Sequence, residues 1–283
     1  MNTQEYHLLL VTNGFEGTRP ALDYGLWLAS KMKAAVTLLG VAEPADAYHP
    51  VRPLVEETAK RLDSARLPYQ VEIRVGHTEE AVSEFVKQGD YLLVISPLGR
   101  PPLRRWLMGR SFRHIMAEIA SPILYVPVAR IPVKNILICI GGLGYGVTAE
   151  NLGFRLAEVT EAGVTLLNVV PPIDLDYPTA RAVKENWEHL IDTDTPPGRA
   201  LRQGLKSAEA ARLLASVKVR HGNVVHEILD EIKRGDYDMV CMGSAYSAHS
   251  LRHLYMPNVT AEVAEAANCP ILTVRYAGEP QGV

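Results

Sequence analysis

The sequence contains few cysteines, and their placement excludes several classes of protein. There are three, Cys139, Cys241 and Cys269, with no Cys-x-x-Cys pair among them. Cys139 and Cys241 lie in apolar runs typical of strands, and Cys269 comes just before another such run. A disulfide-stapled secreted scaffold and a cysteine-rich metal site are therefore both excluded. Reduced, buried cysteines instead favour a cytoplasmic protein.

Long apolar runs and a strong net charge are also missing. No run approaches the ~18 apolar residues that a membrane-spanning helix needs. The first residues, MNTQEYHLLLVTNG, have neither a basic segment nor a long apolar core, so we expect no signal peptide. A net charge of -3 gives no bulk positive field for nucleic acid or an anionic membrane. We therefore expect neither nucleic acid nor a membrane as a partner.

What the sequence does contain is an internal repeat. VTLLGV at 36–41 recurs as VTLLNV 128 positions later, Gly-Asp-Tyr at 89–91 recurs after 146 positions, and SPIL at 121–124 recurs as CPIL after 148. The growing offset predicts an insertion of 18 residues between the second and third strands and one of 2 in a later loop. We predict a first domain over 1–130 and a second over 131–283, with its insertion near 171–198.

Each copy alternates short apolar runs with amphipathic segments. In the first copy LLLV (8–11) is a short apolar run, typical of a strand buried on both faces. The further strands are predicted at VTLLGV (36–41), VEIRV (71–75), LLVIS (92–96) and ILYVPV (123–128). Helices are predicted after an N-cap at Thr18, over 56–67, behind Gly76 and near 111–120. The second copy runs from 136–140 to 271–274 and adds a helix near 180–191. This order predicts two doubly wound α/β domains, each with a parallel sheet.

Two loops are predicted to meet where the strand order reverses, which is where such folds bind ligands. They begin Thr12-Asn13-Gly14 after the first strand and Ser96-Pro97-Leu98-Gly99 after the fourth. Nine residues separate Gly99 from Gly109, and Ser111 is placed to cap the next helix. Glycine lets backbone approach a phosphate, and the N–H groups of a helix start attract it. The pattern therefore indicates an anion site.

The second of these loops is strongly basic. Residues 100–114 contain no acidic residue and five arginines, Arg100, Arg104, Arg105, Arg110 and Arg113. Because arginine binds phosphate bidentately, the cluster favours a polyphosphate ligand. Ordinary turns with solvated arginines are the competing interpretation. His249 and His253 have the spacing of helical metal ligands, but no third ligand is evident, so we expect no metal site.

These loops resemble the universal stress protein family, which carries G-x2-G-x9-G-[ST] after its fourth strand and Asp-Gly after its first. The resemblance covers nearly the whole chain twice, including the Gly-Asp-Tyr triplets and the CPIL-like final strands. It implies two five-stranded, Rossmann-like domains that form a pseudo-dimer within one chain, with ILYVPV and ILTVRY close together. It also implies an adenine nucleotide ligand, ATP or AMP, with Mg²⁺ as a possible companion of ATP.

Both copies depart from the family pattern. In the first, Ser96 replaces the first glycine, Arg110 the final Ser/Thr and Asn13 the aspartate. In the second, Gly243 matches, but the remaining positions are replaced by Tyr246, Pro257, Asn258 and, for the aspartate, Gly141. The first domain therefore keeps more of the phosphate loop, and we predict that it is the main nucleotide site.

The resemblance also implies roles for individual residues. Thr12, Asn13 and Gly14 would contact adenine or ribose, and the backbone of Val41 would face the adenine edge. The phosphate loop would comprise Ser96, Pro97, Gly99, Arg100, Gly109, Arg110 and Ser111. Arg110 would either bind phosphate or fill its place. The second-domain candidates are Gly141, Gly142, Val169, Gly243, Ser244, Asn258 and Val259.

The sequence thus predicts a cytoplasmic, non-catalytic stress-response protein that binds an adenine nucleotide, mainly in its first domain. No catalytic residue is expected, because no metal-holding acid or positioned base is evident. A scaffold that binds no nucleotide and a weak ATPase are the alternatives. The protein partner is unidentified, and the chain is expected as a monomeric pseudo-dimer or a further homodimer.

Overall fold

The computed structural model describes residues 7–43, 50–98, 115–116, 118–141, 147–172, 178–244 and 259–275. The chain divides into two compact units. Unit 1 comprises Met1–Ile131 with Asn268–Pro270, and unit 2 comprises Pro132–Ala267 with Ile271–Val283.

Unit 1 contains a parallel sheet. Its strands are β1 (His7–Thr12), β2 (Ala35–Ala42), β3 (Tyr69–Val75), β4 (Tyr91–Ile95) and β5 (Ile123–Tyr125). They lie in the order β3-β2-β1-β4-β5, and each neighbouring pair is parallel. Leu8, Leu9, Leu10 and Val11 of β1 are fully buried, as a strand covered on both faces requires. The order reverses between β1 and β4, so their carboxyl ends form the switch point.

The described helices of unit 1 are α1 (Arg19–Met32), α2 (Val51–Ser64) and α3 (Thr78–Val86). A 3-10 turn, Glu16–Thr18, precedes α1. Helix α2 begins five residues before the predicted span of 56–67, because Pro53 lies in its first turn, where the missing N–H costs nothing. Half of the predicted helix near 111–120 lies outside the described residues; within the other half, residues 115, 116 and 118 are helical.

Unit 2 repeats this architecture. Its strands are β6 (Asn135–Cys139), β7 (Gly163–Val170), β8 (Ala215–His221), β9 (Met239–Ser244) and β10 (Ile271–Arg275). Their order within the unit is β8-β7-β6-β9-β10, again all parallel. The helices are α4 (Val147–Thr160), α5 (Pro178–Glu185), α6 (Pro196–Ala210), α7 (Val224–Gly235) and α8 (Val259–Ala266). The predicted α/β fold class is confirmed, whereas pairing of the units through their last strands stays a prediction.

The insertion in unit 2 differs in detail from the prediction of one helix near 180–191. Helix α5 ends at Glu185, and a 3-10 turn over Trp187–Asp192 follows. The break falls at Asn186, whose φ of -118° is not helical. The ring of Trp187 stacks on His221 at the end of β8, with centroids 5.7 Å apart, so the insertion packs on that strand.

The strand register corrects the alignment of the two copies. Leu8 pairs with Val36 and Leu92, whereas its counterpart Ile136 pairs with Val164 and Met239. Met239 therefore corresponds to Leu92, one position beyond the match that the Gly-Asp-Tyr triplets suggested. The predicted insertion of two residues in the second copy is therefore divided between two loops, with one residue before β9 and one after it. With this register, Gly243 of the second copy is the equivalent of Ser96 in the first.

Candidate functional site

The loop that follows β1 in unit 1 is held by the hydroxyl of Thr12. Thr12 is fully buried, its Oγ1 lies 2.6 Å from Thr18 Oγ1, and it accepts the N–H of Gly14 at 3.1 Å. Gly14 has a φ of 81°, a conformation that favours glycine. The Thr12 hydroxyl, predicted to contact adenine or ribose, is thus already used within the loop.

Asn13 joins the two loops of the switch point. Its Nδ2 donates to the carbonyl of Leu98 at 3.0 Å, and its Oδ1 accepts the N–H of Phe15 at 3.3 Å. The side chain is only 2% exposed. The structure therefore brings the predicted loops together, as expected, but it uses the Asn13 amide to fasten them.

Ser96 fastens the other side of the same region. Its Oγ accepts the N–H of Ala21, in the first turn of α1, at 2.9 Å and donates to the carbonyl of Val126 at 2.5 Å. Ser96 therefore satisfies an N–H in the first turn of α1. Thr18 occupies the N-cap position of α1, as predicted, but its hydroxyl donates to the carbonyl of Phe15 at 2.7 Å and makes no capping bond.

Glu43 was missed by the sequence analysis. It is 5% exposed and lies directly after β2, and its Oε1 accepts both the N–H and the Oγ1 of Thr78 at the start of α3. An acidic residue just after a strand was the available signal, but nothing in the sequence links it to a helix 35 residues later.

Several predicted site residues lie outside the described part of the chain, and their roles stay predictions. In unit 1 these are Gly99, Arg100, Gly109, Arg110 and Ser111. In unit 2 they are Gly142 and Asn258. Four further residues discussed above also lie outside it: Tyr246 and Pro257, which replace family glycines, and His249 and His253, where no metal site is expected. Pro97 lies between Ser96 and Leu98 in the β4 loop of unit 1.

The corresponding region of unit 2 is fastened differently. Gly141 follows Ile140, whose carbonyl accepts Nδ2 of the buried Asn168 at 2.6 Å. The carbonyl of Gly243 accepts Oγ1 of Thr260 at 3.1 Å, beside Val259 at the start of α8. Val169 lies near the end of β7, and Ser244 is the last residue of β9. Within the described residues, the loop after β6 thus depends on Asn168 for its anchor.

A carboxyl group lies beneath this region of unit 2. Glu150 of α4 occupies the position that the core residue Leu22 occupies in α1. A Cβ built on Gly204 would lie 2.9 Å from Leu166, 3.1 Å from Ile140 and 3.2 Å from Glu150 Oε1. The carboxyl therefore borders an apolar environment, and burial raises its pKa to about 7. The break in the apolar pattern of α4 was its only signal in the sequence.

We expect Glu150 to make unit 2 less stable as the pH rises through about 7. Because the pKa of this carboxyl is higher in the folded than in the unfolded state, the folded state binds the proton more tightly. The free energy of unfolding is therefore greatest at low pH and falls as the pH rises through the folded pKa. Allowing for partial exposure, Glu150→Gln should be about 1–2 kcal/mol more stable than wild type at pH ~8 and nearly equal at pH ~5. Urea unfolding at both pH values measures this. Glu158→Gln, an exposed position of the same helix, should show no such difference.

Among the described residues, no three His, Cys, Asp or Glu side chains form a group that could hold a metal ion. Across those residues, no helix is both long and apolar enough to cross a membrane.

The sequence pattern of the universal stress protein family matches residues 132–275, which is half of the chain. The chain belongs to the universal stress protein family. This confirms the resemblance on which the expected fold rests. No curated protein matches the chain.

Two solved structures share the fold over 96% of the chain, and a third is matched over half of it. A universal stress protein from Archaeoglobus fulgidus has a TM-score of 0.67 and 13% identity, covering 96% of this chain and 97% of its own. One from Pseudomonas aeruginosa has a TM-score of 0.70 and 13% identity, covering 96% and 94%. A family protein from Arabidopsis thaliana with AMP bound has a TM-score of 0.35 and 16% identity, covering 50% and 91%.

Two departures from the family pattern have structural roles in unit 1. The family aspartate is Asn13 here, and an ionised aspartate could not donate to the Leu98 carbonyl. The first family glycine is Ser96, and glycine has no hydroxyl to join α1 to the carbonyl of Val126. Both replacements therefore hold the loops of this universal stress protein in place through side chains.

Proposed function

We propose that unit 1 binds an adenine nucleotide, ATP or AMP, at the carboxyl ends of β1, β2 and β4. The chain then acts as a non-catalytic, nucleotide-responsive stress protein. The observation that carries this proposal is a main-chain acceptor at the end of β2.

That acceptor is the carbonyl of Val41. Two backbone hydrogen bonds of β2 point towards β3: the N–H of Val36 donates to the carbonyl of Pro68, and the carbonyl of Ala42 accepts the N–H of Gly76. Along a strand the N–H and C=O groups of successive residues point to opposite sides. The N–H and C=O of Val41 therefore point towards β1. The β1–β2 ladder ends at Thr12 opposite Gly40.

The next N–H along the β1 side belongs to Gly14, and it donates to the Thr12 hydroxyl instead. The Val41 carbonyl thus lies where the β1 ladder has ended. An acceptor at this position can take a hydrogen bond from a planar donor such as the amino group of adenine.

The phosphates are assigned to the segment that follows β4. The bond from Asn13 fixes the carbonyl of Leu98, immediately before Gly99, so this segment starts at the switch point. From the sequence, we assign close backbone approach to Gly99 and Gly109, a helix start to Ser111 and positive charge to Arg100 and Arg110. The described part of the site therefore fits an adenosine with its phosphates directed towards these residues.

Two described carboxylates, Glu16 after β1 and Glu43 after β2, are already engaged. Glu16 accepts from Arg19 at 2.7 Å, and Glu43 accepts from Thr78. We therefore assign no protein carboxylate to Mg²⁺, and any ion would be held by the phosphates of ATP. Among the described residues of unit 1 we assign neither a metal-holding acid nor a positioned base, which fits binding rather than turnover. Free cysteines fit action in a reducing cytoplasm.

The proposal is tested by heating purified full-length protein and identifying any released nucleotide by mass. We expect ATP or AMP. Incubation with added ATP should then yield no ADP above the level of a protein-free control. Release of a different ligand would refute the assignment, and ADP formation that follows protein concentration would favour the ATPase alternative.

We expect Gly109→Val to weaken ATP binding at least about tenfold, ~1.4 kcal/mol. The branched side chain would stand where backbone must approach a phosphate. Titration calorimetry measures the change. Gly141→Val is the matched control in unit 2, because a Cβ there would meet nothing within 4 Å. An unchanged affinity in the first variant with lost binding in the second would move the site to unit 2.

Arg110→Ser separates a binding role of Arg110 from a blocking one. An arginine beside the helix start predicted at Ser111 would be favoured when an anion lies between them, so we propose that it binds phosphate. The serine variant should then bind ATP more weakly and adenosine about equally, and added salt should weaken ATP binding by wild type. Parallel titrations with ATP and adenosine decide this. Tighter ATP binding by the variant would show that Arg110 blocks the site.

A further inference from the structure

The outer strand of unit 1 exposes a stripe of apolar side chains. Val71 is 40% exposed, Ile73 39% and Val75 79%. Residues two apart in a strand share a face, so the three side chains line one side of β3. Single exposed apolar residues are ordinary, but a row of them on an edge strand promotes pairing with another chain.

The repeat shows how the same face is treated in unit 2. The corresponding residues of β8 are Val217, Val219 and His221, and all three are half-buried. The insertion packs there, with Trp187 stacked on His221. Unit 1 has no such insertion, so its apolar stripe lacks the cover that its own duplicate has.

The backbone edge of β3 is also open within the described residues. In unit 1, β3 pairs with β2 along one side, from Tyr69 to Val75, and it ends the strand order of that unit. The N–H and C=O groups of its other side form a row to which another strand can bond.

Two copies of β3 can pair antiparallel with matching side chains if Ile73 lies at the centre of the pair. In an antiparallel pair centred there, Ile73 faces its own copy and Val71 faces Val75. On the other face Glu72 lies opposite Arg74, twice by symmetry. Glu72 is exposed, and the guanidinium of Arg74 lies over the ring of Phe85 at 4.9 Å, with its nearest carboxylate, Glu84, at 3.9 Å. Opposite charges directly across a strand pair stabilise it.

We propose that a second copy of this chain pairs with β3, antiparallel and with its two-fold axis at Ile73. The two apolar stripes then form one continuous surface between the two α2 helices, which flank Ile73 through Val51 and Val55. The contact is isologous, so it closes at two copies and does not propagate into fibres. It is independent of nucleotide binding.

Sedimentation velocity of the full-length chain over a concentration series tests the proposal through the charges. Wild type should dimerise reversibly. Glu72→Arg places two arginines opposite Arg74 and its copy, and it should raise the dimer dissociation constant about tenfold or more. The double variant Glu72→Arg with Arg74→Glu restores opposite charges and should return it to within about threefold of wild type. A monomeric wild type, or a double variant as weak as the single one, would overturn the pairing.

Cysteine cross-linking tests the register, in a Cys139→Ser background that removes the one native cysteine that is not buried. Residues directly across an antiparallel pair have Cα atoms ~4.5–5.5 Å apart, within reach of a disulfide. Ile73→Cys should therefore form a reducible covalent dimer on mild oxidation. Val75→Cys should not, because its copies lie roughly 13 Å apart along the strands. Cross-linking at 75 but not at 73 would show a different interface, either another register or another partner surface.

Discussion

Replacing Arg220 with alanine is expected to destabilise unit 2 by about 2–3 kcal/mol. Arg220 of β8 donates to Glu227 at 2.7 Å, Asp230 at 2.5 Å and Glu231 at 3.0 Å, all on α7. The Glu231 side chain is only 4% exposed. Without Arg220, three neighbouring carboxylates lose their shared positive partner, and breaking such a pair costs more than the pair contributes. Because Arg220 itself is 18% exposed, we expect less than the full cost of a dry ion pair.

The effect should be measured by hydrogen exchange in β8 and α7, which reports on unit 2 separately. The matched control is Arg74→Ala, the same position in unit 1. There the partner on α3 is Phe85 in place of Glu231, and the nearest carboxylate, Glu84, is 3.9 Å away. Its loss should cost at most about 1 kcal/mol. Equal losses at both positions would show that the carboxylate cluster adds nothing to unit 2.

The second large effect is expected from Asn13→Asp, which restores the family residue. The new carboxylate would lie against the carbonyl of Leu98, and both groups can only accept. Because the position is 2% exposed, water cannot compensate, and we expect a loss of about 2–3 kcal/mol at neutral pH.

The pH dependence identifies the cause of that loss. Burial against an acceptor raises the pKa of an aspartate, and the protonated form can donate to Leu98 as the amide does. The Asn13→Asp variant should therefore regain stability as the pH falls, whereas Asn13→Ala, with a smaller loss of about 1–2 kcal/mol, should not. Urea unfolding at pH ~5 and ~8 compares the three proteins. An Asn13→Asp variant as stable as wild type at the higher pH would show that the loops are not joined as described.

The strands were predictable because their residues carry the signal locally. Runs such as Leu8 to Val11 are fully buried, and the repeated VTLLGV and VTLLNV mark the same strand in both units. The parallel, doubly wound sheet followed from the alternation of strands and helices. The register did not, because the two Gly-Asp-Tyr triplets look equivalent but are displaced by one residue in the sheets.

The fastening of the candidate site could not be predicted. Asn13 and Leu98 are 85 residues apart, and Ala21 and Ser96 are 75 apart. Threonine commonly caps helices, yet at the start of α1 the side-chain oxygen that accepts a backbone N–H belongs to Ser96 in a distant loop, not to Thr18. Glu150 likewise resembles an ordinary acidic residue of a first helical turn until Gly204 and Leu166 are placed beside it. Such pairs exist only once the chain has folded, and short-range patterns do not encode them.

The central claim is one adenine nucleotide site per chain, located in unit 1. Titration calorimetry of the full-length protein with ATP and with AMP tests it most directly, with Gly109→Val and Gly141→Val titrated in parallel. The account predicts a stoichiometry of about one for at least one of the two nucleotides, with binding weakened at least about tenfold by Gly109→Val and unchanged by Gly141→Val. No binding of either nucleotide by wild type, or binding that survives Gly109→Val and is lost in Gly141→Val, would contradict it.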